Sequence, residues 1–342
     1  MDGEFSSVAE RIALLAGGES TEREVSFASG QQVALALALA GYEPVLIDPA
    51  EKNLRDVDWP SFDCCFVALH GGGGEDGRVQ AELETIGIPY TGSDPNACRL
   101  AMSKSGAKRQ FEACGVPTLP HIAFECRDFS TAAAMEKLAN RLASLQYPLV
   151  IKPDGHGSSL GVQIAHEPSD LPSCLCAAAE FDSDLTAETW IDGREFTIAL
   201  LGRDPLPMIE IVMPQQVFSY EAKYASAKTP YRFDSGLSPD LARKMYQIAI
   251  AAAESLRTAS LVRVDFMLDR LDNPWVLELN TIPGMTARSM APRAAGAAGF
   301  DMPALVDWMI RDAMRRHVNT STHTHATEFS DSFMPLRERA IS

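Results

Sequence analysis

"LVRVDFMLDRLDNPWVLELN", residues 261–280, reads as two strands joined by a turn. In the first run Val262, Val264, Phe266 and Leu268 share one face, and Leu261, Arg263, Asp265 and Met267 the other, because side chains alternate along a strand. In the second, Trp275, Leu277 and Leu279 fall on one face and Val276, Glu278 and Asn280 on the opposite one. The link "DRLDNP" holds turn formers of the kind that join antiparallel strands. Closing this hairpin with its apolar faces inward brings Arg263, Asp265, Glu278 and Asn280 out on one side. Three oxygen ligands and a guanidinium on rigid strands suit a hard cation beside an anion. Mg2+ prefers carboxylate, amide and phosphate oxygens and usually shares its shell with a substrate phosphate. The plain alternative is a solvent-exposed face with a salt bridge between Arg263 and a carboxylate.

A chain of 342 residues can bury a large core and divides into two or three domains. Its formal charge of −16 argues against broad binding to nucleic acid or an anionic membrane, while leaving room for a local basic pocket. No apolar run approaches the roughly 18 residues of a membrane span. The start, "MDGEFSSVAE", is acidic and lacks the apolar stretch of a signal peptide. The seven cysteines follow no framework. Cys64 and Cys65, neighbours in a strand-like run, should point to opposite faces, and Cys174-x-Cys176 has no partner pair at zinc-site spacing. They read as reduced thiols in a cytoplasmic protein.

"RIALLAGG" (11–18), a helix through "STEREVSFASGQQVALALALAGY" closed by Gly41, and "EPVLID" make a βαβ unit and predict a parallel sheet. "FDCCFVALHGGGGEDG" (62–77) followed by "RVQAELETIG" repeats strand, glycine loop and helix. Neither loop spells the dinucleotide pattern G-x-G-x-x-G, and no acidic ribose reader follows, which disfavours a dehydrogenase. Residues 1–95 are expected to form this first domain. One helix, "NACRLAMSKSGAKRQFEACG", then opens a second region, 96–192, with strands "HIAFE" and "PLVIK" around a helix. A third region, 193–317, holds the hairpin and a closing helix ending near His317, and 318–342 reads as a disordered tail. His323-x-His325 lies in that tail, where a solvated segment is the plainer reading than an adventitious metal site.

Three segments carry further chemistry. "PLVIKPDGHGSSLGVQIA" (148–165) runs strand, glycine loop, strand, with Lys152 before the glycines; a P-loop would place its lysine after them and continue as a helix. The backbone from Gly155 to Gly161 and the hydroxyls of Ser158 and Ser159 suit a flap over phosphates, against the alternative of a tight glycine hairpin. "AETWIDGREFTIALLG" (187–202) sets Glu188 and Glu195 near the ends of neighbouring strands, as exposed carboxylates or as a nucleoside contact. "MPQQVFSYEAKYASAKTPYRFDSGLSPD" (213–240) is long and rich in Tyr and Lys, as lids are. Lys223 and Tyr224 are the candidates for its inner face.

In order and spacing, "GGESTEREVS" (17–26), "HGGGGEDG" (70–77), "PYTGSD" (89–94), "IKPDGHGSSLGV" (151–162), "EFTIALLG" (195–202), "YEAKY" (220–224), "RVDFML" (263–268) and "LELNTIPGMTARS" (277–289) resemble the D-alanine–D-alanine ligases of the ATP-grasp superfamily. The resemblance spans roughly residues 10–315. It implies an α/β fold, α+β in the second and third domains, with ATP between two antiparallel sheets. It further implies that Lys104, Lys152, Ser159 and Lys223 meet phosphates. Glu188, Trp190, Ile191 and Met267 would line the nucleoside pocket and Glu195 would take the ribose. Asp265, Glu278 and Asn280 would hold two Mg2+ ions, with Mn2+ as a substitute. Arg263 and the Gly284 N–H would stabilise an oxyanion, and Glu22 would hold the first ammonium group. Ser158 and Tyr224, bonded to Glu22, would fix flap and lid, and Ser289 with Met290 would meet the second carboxylate.

The implied reaction joins two D-alanines through an acyl phosphate, for peptidoglycan synthesis, in a homodimer. Ser103, His156, Met290 and Asp234 depart from the family's common pattern. The alternatives are a ligase using D-lactate or D-serine as second substrate, and a silent nucleotide-binding module.

Overall fold

The computed structural model describes residues 9–212 and 231–323, with 319–323 described by backbone alone. The expected lid residues Lys223 and Tyr224 therefore lie outside the described residues.

Strands β1 (Arg11–Leu15), β2 (Glu43–Ile47) and β3 (Cys64–Val67) form a parallel sheet in the order β2-β1-β3. Their near-continuous apolar sequences suit a sheet covered on both faces. Ile12, Leu14 and Phe66 pack on Leu37 of α1 (Arg23–Leu39), while Ala13, Leu15 and Val67 pack with Trp59 and with Leu83 of α2 (Arg78–Ile86). Cys64 and Cys65 enter these opposite cores, as alternation predicts.

The run expected as one helix is two, α3 (Pro95–Met102) and α4 (Lys104–Ala113). Ser103 separates them in an extended conformation, φ −79° and ψ 108°, and its hydroxyl accepts from Gly106 N–H to cap α4. Asp154 holds the break open: Ser103 Oγ donates to its Oδ2 at 2.6 Å and the Ser105 N–H to its Oδ1 at 2.7 Å. Helical periodicity runs through Ser103, and the break is set by the Ser103 cap on α4 together with the distant Asp154, whose carbonyl also accepts from the Lys104 N–H at 3.1 Å.

The second sheet is antiparallel, ordered β4-β7-β5-β6, from β4 (His121–Glu125), β5 (Leu149–Pro153), β6 (Gln163–Ala165) and β7 (Asp184–Thr189). Helices α5 (Ala132–Leu142) and α6 (Leu171–Ala179) bury Leu138, Leu142 and Leu175 against Leu149, Ile151 and Leu185.

The third sheet is also antiparallel. It runs β11-β10-β8-β12-β13, with β9 added to β8, from β8 (Gly193–Leu201), β9 (Asp204–Pro205), β10 (Ile209–Ile211), β11 (Tyr231–Arg232), β12 (Leu261–Asp269) and β13 (Pro274–Asn280). Its outer face buries Phe196, Val264, Phe266 and Val276 under Met245 and Ala249 of α7 (Pro239–Ser255). β7 and β8, expected as neighbouring strands, lie in different sheets. The Trp190 N–H donates to Pro148 O at 2.9 Å, and the chain crosses from one sheet to the other there.

The hairpin forms with a correction. β12 pairs antiparallel with β13, Arg263 opposite Asn280 and Asp265 opposite Glu278, but the register slips between Asp265 and Phe266, whose partner is Val276. Leu277 is the extra residue of a β-bulge. Val276 is thus fully buried in the core, and Leu277 faces the cleft with Glu278. Strict alternation had assigned both residues the opposite way.

After α8 (Met290–Ala297), α9 (Met302–His323) continues past the expected end at His317. Its Leu305, Val306 and Ile310 pack with Ile12 and Leu14, tying the end of the chain to the first sheet. Among the described residues no helix is long and apolar enough to cross a membrane.

Candidate active site

The two antiparallel sheets face each other across a cleft. β5, β6 and β7 contribute Val150, Lys152, Ile164, Glu188 and Thr189; β8, β12 and β13 contribute Glu195, Asp265, Met267, Leu277 and Glu278. Trp190 and Ile191 line it from the segment that crosses between the sheets. Leu119, Val150, Val162, Ile164, Met267 and Leu277 give apolar walls suited to a flat ring. Lys104, Lys152, His156 and Ser159 supply cations and donors.

Behind the cleft lies a buried charge cluster. Lys152 Nζ donates to Glu188 Oε2 at 2.9 Å, and Lys108 Nζ stands 3.4 Å from Oε1. Burial alone would raise the Glu188 pKa, but Lys108 and Lys152 outweigh it and hold the carboxyl down to about 2. Burial pushes the ammonium groups of Lys104 and Lys108 down, opposed by Glu278 and Glu188 respectively. The Lys104 ammonium group donates to the His156 carbonyl, next to the flap serines.

On the hairpin, Arg263 grips Asp265 with Nε 2.9 Å from Oδ1 and Nη2 2.8 Å from Oδ2, and Thr197 Oγ1 donates to Oδ1 at 2.6 Å. Asn280 Oδ1 accepts from the Ile282 N–H at 2.9 Å, which fixes the amide, and Asn280 lines an adjoining recess with Glu278, Glu75 and Lys104. Among the described residues no group of three or more His, Cys, Asp or Glu could by itself hold a metal ion. Two carboxylates and an amide oxygen do fit Mg2+ in a shell that phosphate and water complete.

The flap reaches towards the first sheet. Ser158 and Ser159 both have left-handed φ values, 54° and 58°, and Ser158 Oγ donates to Glu22 Oε1. Burial raises the Glu22 pKa, the Ser158 hydrogen bond opposes this, and Glu75 and Glu278 add to the rise. His70 sits beside this pair, its Nε2 2.8 Å from Ser29 Oγ and its Nδ1 3.5 Å from Glu75. Gly284 lies on the loop after β13, where a Cβ would come 2.8 Å from Ser289 Oγ. Ser289 stands extended at the position before α8, and its hydroxyl accepts from the Thr286 N–H at 3.1 Å rather than from the helix.

Lys104, Lys152, Ser159, Glu188, Trp190, Ile191, Glu195, Met267, Asp265 and Glu278 thus share one cleft. Arg263 and Asn280 stand beside it, Glu22 and Ser158 touch, and Gly284 packs against Ser289 on the loop after β13. Sequence reasoning found Met267 of the apolar wall but missed Leu119, Val150, Val162, Ile164 and Leu277, and also Lys108 and Thr197. For Lys108 a signal existed, since it follows Lys104 by one helical turn on the same face.

A family model described as "D-ala D-ala ligase C-terminus" matches residues 110–311, and one described as "D-ala D-ala ligase N-terminus" matches 48–93. The chain is 41% identical to a D-alanine–D-alanine ligase of Marinobacter nauticus over 309 residues, 90% of this chain and 93% of that protein. A crystal structure of the D-alanine–D-alanine ligase of Bacillus anthracis superposes with TM-score 0.81 at 32% identity, covering 91% of this chain and all of that one. The same enzyme complexed with ATP superposes with TM-score 0.78 at 32% identity, covering 92% and 100%.

Proposed function

The chain belongs to the D-alanine–D-alanine ligase family, and from this membership we infer an ATP-dependent enzyme that joins two D-alanines into D-alanyl-D-alanine for peptidoglycan synthesis. The observation that carries the reading is the cleft itself, apolar where a purine would lie and rich in lysine where phosphates would lie. The fold divides by its three sheets, with residues 1–95, 96–192 and 193–317 as the proposed domains and α9 returning to the first.

In this reading Trp190, Ile191, Met267 and the walls at Val150 and Leu277 enclose the base, beside Glu188. Glu195 accepts from the ribose. Lys104, Lys152 and Ser159 meet the phosphates; Lys223, expected to join them, lies outside the described residues. Asp265, Glu278 and Asn280 would hold Mg2+, or Mn2+, which neutralises phosphate charge when bound. The remaining work is positioning and charge placement, as phosphoryl transfer requires.

Glu22, held by Ser158, receives the ammonium group of the first D-alanine and leaves its carboxylate free to attack the γ-phosphate. The acyl phosphate that results is attacked by the second D-alanine's amine. Arg263 and the Gly284 N–H face the oxyanion that forms, and phosphate leaves. Ser289 and Met290 take the second carboxylate; the part expected of Tyr224 lies outside the described residues. The exposed leucines of α1 and β2, Leu35, Leu39 and Leu46, offer a surface for a homodimer, which sedimentation of the wild-type chain and of a Leu39→Glu variant would test. All seven cysteines are free thiols, which fits a cytoplasmic enzyme.

The direct test is ADP release on adding D-alanine, with and without Mg2+, together with identification of the dipeptide. A chain that hydrolyses or binds ATP but forms no dipeptide would overturn the reading. D-Lactate and D-serine as second substrates, compared in wild type and Tyr224→Phe, separate the related ligases.

A further inference from the structure

Lys108 is a lysine with no access to the cleft. Its side chain is 1% exposed, as is that of Glu188, while Lys152 is 17% exposed and lines the cleft wall. Lys104 lines it too, one helical turn before Lys108 on α4. Two ammonium groups, those of Lys108 and Lys152, therefore hold a single carboxylate, and of the two only Lys152 lines the cleft where a ligand would lie. Burying such a pair contributes little net stability, because desolvating two charges offsets most of their attraction. The burial of Lys108 calls for another explanation.

The partners of Lys108 supply one. Its Nζ donates to Thr118 Oγ1 at 2.9 Å, and Thr118 Oγ1 donates to Val276 O at 2.9 Å, on the bulged strand β13. The Val276 N–H returns to Pro117 O at 2.8 Å. Lys108 is thereby anchored to the third sheet while its charge faces Glu188 of the second. The Lys152 ammonium group is hydrogen-bonded to that same Glu188. To reach a phosphate it must loosen that bond, which would strand a buried carboxylate unless another cation stays beside it.

We propose that Lys108 is a positioning residue, a fixed counter-charge that keeps Glu188 neutralised so that Lys152 is free to move to the triphosphate. The inference rests on the nucleotide reading of the cleft. Lys108 touches neither substrate; it acts through Glu188 and Lys152. Without it Glu188 retains Lys152, and ATP affinity falls while recognition of D-alanine does not.

The test is a set of variants read by KM for ATP, KM for D-alanine, kcat, and ADP binding by calorimetry. Lys108→Met should raise the KM for ATP by roughly tenfold and leave that for D-alanine within about twofold. In a Glu188→Gln background, where no buried charge needs balancing, the same change should cost less than about threefold, and in a Lys152→Met background likewise. A general packing defect would cost the same in every background. Equal losses, or a loss falling on D-alanine, would overturn the proposal. If Lys108→Met does not fold, Thr118→Val carries the test by removing the acceptor that anchors Lys108, with a rise in KM for ATP of about threefold that disappears in Glu188→Gln. No such rise, or one that persists in Glu188→Gln, would overturn it. Failure of the nucleotide reading looks different: Lys152→Met alone would then leave ADP and ATP binding unchanged.

Discussion

Asp265 stands directly across β12 and β13 from Glu278, although Leu277, the residue before Glu278, has no partner on β12. The two carboxylates meet because the bulge restores the alternation that Leu277 interrupts. Leu279 then returns to the core and Asn280 to the side of Arg263.

Glu278→Gln should lower turnover by roughly 100-fold or more, because it weakens the hold on the divalent ion while the strand stays paired. Circular dichroism should show the fold retained, and raising the Mg2+ concentration should recover part of the rate. Near-normal ADP release in this variant would contradict the metal assignment.

Leu277→Ala should act on the nucleotide alone. The side chain is half-buried and walls the cleft, so its loss removes about 1–2 kcal/mol of apolar contact with the base, a rise in KM for ATP of roughly five- to thirtyfold. Thermal melting should move little. An unchanged KM for ATP, with a lowered melting temperature, would show that Leu277 serves packing instead.

Glu22→Gln should show a pH-dependent gain in stability. Burial raises the folded pKa of Glu22 above its ordinary 4.5, so within that window the native state binds more protons than the unfolded chain. Stability contributed by the protonated group is therefore lost as pH rises through the raised value, and ionised Glu22 is a cost above it. The melting temperature of the variant should exceed that of wild type at about pH 8, and the gain should fade towards about pH 4. Its use of D-alanine should be impaired throughout. A gain of equal size at both pH values would remove Glu22 ionisation as the cause.

Gly71→Ala should injure catalysis more than the core. Gly71 has φ 66° and ψ 165°, a region costing an alanine about 1–3 kcal/mol. A Cβ there would also come 2.7 Å from Glu22 Oε2. The expected outcome is a raised KM for D-alanine with ATP binding preserved, measured by calorimetry and steady-state kinetics. A loss confined to ATP would place the Gly71 loop elsewhere in the mechanism.

Much of the architecture is legible in residue order. The βαβ start reads from apolar runs and glycines, and the parallel sheet follows. The β12–β13 hairpin reads from period two and its turn, and its register partners Arg263–Asn280 and Asp265–Glu278 come out on one side. The break at Ser103 and the bulge at Leu277 do not read, because a hydrogen bond to a carboxylate 51 positions away helps make the first and cross-strand pairing makes the second. Lys108 looks like one more helix-surface lysine until Glu188 and Thr118 close over it.

By itself, then, the order of residues determined which segments become strands and helices, the pairing of the carboxylate hairpin and the chemical types able to meet a nucleotide and a cation, since these follow from local periodicity and side-chain chemistry. The tertiary structure decided which of two successive strands belongs to which sheet, which lysine faces the cleft and which is sealed behind it, and which leucine leaves the core. Those outcomes depend on contacts between residues far apart in the chain, whose energies exist only once the sheets have packed.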